Sequence, residues 1–66
     1  MVNKTIIIDE EVKRLNRRIK YLEQAARKQY KNNQPKKGNI LLNEERSCIS
    51  QLNRLERLRE QGFKYI

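Results

Sequence analysis

The stretch DEEVKRLNRRIKYLEQAARKQYK, residues 9–31, decides how this chain folds. Its apolar side chains fall at Val12, Leu15, Ile19, Leu22 and Ala26, with gaps of three, four, three and four, and Ile8 lies one step upstream. That spacing returns every apolar residue to one side of an α-helix and leaves the rest polar. Asp9 is a suitable N-cap, and Glu10 and Glu11 follow it where the helix dipole is positive. The spacing predicts a helix over 9–31.

Downstream, NNQPKKGN (residues 32–39) is dense in turn formers. Pro35 is incompatible with a helix interior and biases Gln34 away from helical geometry. We therefore expect a loop over 32–40. A second helix is expected over 41–61, with Asn43-Glu44-Glu45 repeating the Asp9-Glu10-Glu11 logic and Asn39 as the alternative cap. Its apolar stripe runs through Leu41, Leu42, Cys48, Ile49, Leu52, Leu55 and Leu58. Gly62 is placed to stop it in left-handed geometry, with Phe63 and Leu58 at the positions paired in a Schellman motif. Residues 1–8 read as a short extended segment, and residues 63–66 as an aromatic tail that folds back on the helices or contacts another protein.

The expected fold is all-α: an antiparallel two-helix hairpin over residues 9–62. At 66 residues, 36% hydrophobic and 36% charged, with no Trp, the chain is short of material for a core of its own. The expected remedy is a homodimeric four-helix bundle, with Val12, Leu15, Ile19, Leu22, Ile49, Leu52, Leu55, Phe63 and Tyr65 at the dimer or partner interface. The longest apolar run is Ile6-Ile7-Ile8, so neither a signal peptide nor a membrane span is expected. One cysteine and no histidine leave no disulfide framework and no zinc site. A cytoplasmic location and a core role for Cys48 follow as expectations.

The net charge of +8 is unevenly placed. Residues 9–31 hold eight basic and four acidic side chains, whereas residues 41–61 hold four of each. With Val12, Ile19 and Ala26 on the seam, Lys13, Arg17, Lys20, Arg27 and Lys31 form a stripe opposite it, about 27 Å long at the rise of an α-helix. Arg14 and Lys28 flank the stripe, and Lys36 and Lys37 extend it into the loop. Such a row neutralises successive phosphates and releases counterions, which predicts salt-sensitive contact with DNA or RNA by these nine residues. A solvated helix face laced by Glu10–Arg14 and Glu23–Arg27 pairs is the plainer reading.

No catalytic constellation is present: there is one Asp, one Cys, and no phosphate-cradling loop with only Gly38 and Gly62. No enzyme activity, cofactor or metal is expected. Tyr21 and Tyr30 flank the seam, where packing on a partner helix is the common role. A β-prone start over Thr5–Ile8 followed by two helices resembles ribbon-helix-helix DNA-binding proteins, although Ile6-Ile7-Ile8 lacks their polar alternation and the expected loop is longer. The hairpin layout resembles the small helical-hairpin protein of the large ribosomal subunit and dimeric RNA-binding hairpins. Ser50-Gln51-Leu52-Asn53-Arg54-Leu55 is similar to the signature of small sporulation-type aspartyl-phosphate phosphatases, but it is one residue short and has Asn53 in place of Asp. No phosphatase activity is implied. The function expected is that of a regulatory binding protein that contacts nucleic acid through its first helix. The alternative is a modulator acting on a larger protein, such as a transcription factor.

Overall fold

The computed structural model describes residues 6–66. Two helices, α1 (Ile8–Lys31) and α2 (Pro35–Glu60), pack side by side as an antiparallel hairpin. The molecule measures 44 × 29 × 14 Å, so its thickness is that of one helix. It is a single layer with both broad faces open, and the core is a seam.

The periodic residues of α1 build that seam. Ile8, Val12, Leu15, Leu22 and Ala26 are buried, joined from α2 by Cys48 and Leu55. Ile19, Leu41, Leu52 and Leu58 pack around them, half-buried. Cys48 is a free thiol within this core, as its position among the apolar residues predicted.

Helix α1 begins one residue earlier than expected, with Ile7 as N-cap and Asp9 inside the first turn. The Ile7 carbonyl accepts the Glu11 N–H at 3.1 Å, and Ile8 becomes part of the core. Asp9, Glu10 and Glu11 all sit where the dipole favours a carboxylate.

The expected loop over 32–40 is mostly helix: only Asn32, Asn33 and Gln34 connect α1 to α2. Two local devices explain this correction. Asn33 adopts φ 56°, its N–H bonds to the Tyr30 carbonyl at 3.1 Å, and the Gln34 N–H reaches back to Gln29 at 2.8 Å. This is a Schellman stop with asparagine in the left-handed position. Pro35 then opens α2 at N1, where a missing N–H costs nothing. Asn43-Glu44-Glu45 is consequently helix interior. Neither Asn43 nor Asn39 caps the helix; Asn39 accepts the Tyr30 hydroxyl at 2.5 Å. Gly38 is buried because the Tyr30 ring lies on it, so close that a Cβ there would sit 2.8 Å from the ring.

Helix α2 stops as predicted. Gly62 has φ 96°, its N–H bonds to the Arg59 carbonyl, and the Phe63 N–H bonds to the Leu58 carbonyl, both at 3.0 Å. The chain then turns back, and Lys64–Ile66 pairs antiparallel with the backbone of Ile6–Ile8. The extended N-terminal segment thus has a partner over residues 6–8; residues 1–5 lie outside the described residues.

A candidate nucleic-acid interface

Burying Val12, Leu15, Leu22 and Ala26 against α2 fixes the rotation of α1, and the opposite side faces solvent. Lys13, Arg14, Arg17, Lys20, Arg27, Lys28 and Lys31 are all exposed. Arginines and lysines here keep long stems along the helix and their charges in water.

Neighbouring carboxylates divide these cations into two groups. Arg14 is bound by Glu11, through both its Nε and a terminal nitrogen, instead of by the expected Glu10. Arg27 bonds Glu23 at 2.8 Å, as the four-residue spacing predicted. The hydrogen bond and the charge of Glu11 hold the Arg14 guanidinium above its ordinary pKa, and Glu44 does the same for Arg18. Lys13, Arg17, Lys20, Lys28, Lys31, Lys36 and Lys37 have no ion-pair partner among the described residues. Of the nine predicted contact residues, these seven are available to an external anion.

Arg18 is turned to the side of the hairpin. It bonds Glu44 of α2 at 2.7 Å, and its guanidinium lies 5.3 Å from the centre of the Tyr21 ring. At the far end, Arg59 reaches Asp9 at 3.3 Å. Two ion pairs therefore tie α1 to α2, one midway along α1 and one at its N-terminal end.

The short connection alters the electrostatics of the tip. No acidic residue occurs between Gln24 and Asn43, while Arg27, Lys28, Lys31, Lys36 and Lys37 all do. Because Lys36 and Lys37 ride on the first turn of α2, a three-residue turn away from Lys31, the tip is purely cationic.

Sequence arithmetic missed a contribution from α2. Residues 41–61 are formally balanced, but Glu44 is engaged by Arg18 and Glu45 is half-buried with a carboxylate oxygen left unbonded. Arg46, Arg54 and Arg57 are exposed and carry no ion pair among the described residues.

The expected interface residues separate in the same way. Val12, Leu15, Leu22 and Leu55 are enclosed within the hairpin itself. Ile19 and Leu52 are half-buried, and Ile49, Phe63 and Tyr65 are exposed. Apolar surface left for another molecule therefore lies on the Leu42–Ile49 flank, at Tyr21 and Ile40, and at the ribbon. Among the described residues, no group of His, Cys, Asp and Glu is gathered as a metal site. No described helix is long and apolar enough to cross a membrane.

No protein-family model, curated protein or solved structure matches this chain.

Proposed function

We propose that this chain is a small, non-enzymatic regulatory protein that grips the phosphates of DNA or RNA with the outer face of α1 and the hairpin tip. The observation that carries this reading is the set of seven cations without ion-pair partners: Lys13, Arg17, Lys20, Lys28, Lys31, Lys36 and Lys37. Lys13, Arg17 and Lys20 are exposed along α1, and Lys28, Lys31, Lys36 and Lys37 lie in the acid-free stretch from Gln24 to Asn43. Asn32, Asn33 and Gln34 add hydrogen-bonding amides at the tip. None of these residues forms a base-reading pattern, so affinity comes from the phosphates and depends little on sequence.

A single-layer hairpin leaves Ile19, Leu42 and Leu52 half-buried and Ile49 exposed, and a second layer would cover them. The proposed form is a homodimeric four-helix bundle joined on the flank bearing Ile19, Leu42, Ile49 and Leu52, which leaves the outer face of α1 free. The test is fluorescence anisotropy with generic duplex and single-stranded probes over a salt series, beside sedimentation equilibrium. Salt-sensitive binding by a dimer is expected. Absence of binding at low salt refutes the nucleic-acid reading, and a stable monomer refutes the bundle.

A second reading is favoured by a different observation. Ile6, Ile7, Phe63, Tyr65 and Ile66 are all exposed at one end of the hairpin. Apolar surface so concentrated marks contact with a protein, and in that reading the chain is a modulator of a larger partner.

A further inference from the structure

At the open end of the hairpin, the pairing pattern of the ribbon determines which backbone groups look outward. The Ile8 N–H donates to the Lys64 carbonyl at 3.0 Å, and the Ile66 N–H donates to the Ile6 carbonyl at 2.9 Å. Ile7 and Tyr65, between them, are therefore a non-hydrogen-bonded pair whose own N–H and C=O groups point away from the ribbon. On one side the Ile7 carbonyl is taken by Glu11, which closes that edge into α1. On the other, the Tyr65 N–H and C=O have no backbone partner among the described residues. An unpaired donor and acceptor on a strand edge are a template for one more strand.

The side chains suit the same occupant. Tyr65 and Phe63 are 57% and 52% exposed, and Ile7 stands beside Tyr65 across the ribbon. Ile6 and Ile66 join Leu55 and Leu58 in a groove of about 440 Å³, lined also by Glu11, Gln51 and Arg54. Glu11 is already bound by Arg14, whereas Arg54 has no ion pair among the described residues. The uncompensated charge at the groove is positive.

We infer that this corner receives an extended, acidic segment of a partner protein as a third strand. Its backbone bonds to Tyr65, alternate apolar side chains enter the groove, and a carboxylate meets Arg54. A second copy of this chain fits less well. Self-pairing at Tyr65 would bring Phe63-Lys64-Tyr65-Ile66 of a second copy, whose one charged side chain is a lysine, against Arg54. The inference rests on the protein-binding reading and is independent of the cationic face of α1.

The test uses the full chain and two synthetic peptides of equal length, one alternating valine with glutamate and the other valine with lysine. Calorimetry and amide hydrogen exchange are the readouts. The acidic peptide is expected to bind and to slow exchange at Tyr65 by at least roughly tenfold, as a new strand hydrogen bond requires. Tyr65→Pro, which removes the outward N–H, should weaken binding by a similar factor, and Arg54→Glu should transfer the preference to the lysine peptide. Arg17→Gln with Lys20→Gln should leave peptide binding unchanged; a loss there would mean only diffuse charge attraction, and would overturn the inference. So would silence from both peptides, unchanged exchange at Tyr65 on saturation, or an acidic preference that survives Arg54→Glu. Concentration-dependent protection of Tyr65 without peptide would make the occupant a second copy.

Discussion

Replacing Arg17 and Lys20 by glutamine puts a number on the proposed phosphate contact. Both residues are exposed on the outer face of α1 and neither has an ion pair among the described residues, so their charges are available in full. Glutamine keeps helix propensity and a long polar side chain, so the fold is retained. If Lys13, Arg17, Lys20, Lys28 and Lys31 each neutralise one phosphate of a duplex, log K falls against log salt with a slope of about −4.5, and affinity drops by roughly 500-fold between about 50 and about 200 mM. Removing two contacts reduces the slope to about −2.7 and the drop over that range to roughly 40-fold. The control is Glu11→Gln with Arg14→Gln, which deletes a charge-neutral pair already joined on the helix and should leave the slope where it was. Anisotropy titrations at five or so salt concentrations measure all three slopes. A wild-type slope shallower than about −2, or equal slopes for wild type and the Arg17/Lys20 variant, would falsify the assignment of this face.

Three further substitutions probe the scaffold that holds this face. Leu22 is 0% exposed at the centre of the seam, so Leu22→Ala should cost about 2–5 kcal/mol in urea denaturation. Ile40, which is 66% exposed, should tolerate alanine within about 0.5 kcal/mol, and equal losses at the two sites would contradict the packing. Gly62→Ala meets no neighbour but must hold φ 96°, so it should destabilise by about 1 kcal/mol and speed exchange of the Ile66 amide; a stabilised variant would rule out the left-handed stop. Gly38→Ala should stabilise by about 1 kcal/mol in a Tyr30→Ala background, as expected for a helical glycine, and by clearly less when the Tyr30 ring is present. The same gain in both backgrounds would show that the ring does not rest on Gly38.

What could be read from the residues, and what could not, follows from how far apart the cooperating groups lie. Helix α1 was legible because its seam, its acidic first turn and its basic last turn all agree within 24 residues. The start of α2 was obscured because its local signals conflict: Lys36, Lys37 and Gly38 each disfavour a helix N-terminus or interior. Only the combination of Asn33 as a left-handed stop and Pro35 at N1 marks the boundary. The ribbon joins residues 6–8 to 64–66, a pairing that no local pattern announces. It also alters the ribbon-helix-helix comparison: the turn between the helices is tight after all, but the N-terminal strand pairs with its own chain's tail.

The same distance argument explains the charged face. Heptad position identified which cations point outward, since burial on one side of α1 determines exposure on the other. It did not identify which of them are already neutralised, because Arg14 finds Glu11 within the helix while Arg18 finds Glu44 across the seam. Apolar periodicity has a matching ambiguity: it marks a face to be covered without saying which surface covers it. Here α2 covers Val12, Leu15 and Leu22, so another molecule meets only what that packing leaves outside. Those remainders are unpaired cations along α1 and the tip, and apolar side chains around an open strand edge at the other end. On the two proposals, a polyanion would meet the first and an acidic, apolar-anchored segment the second.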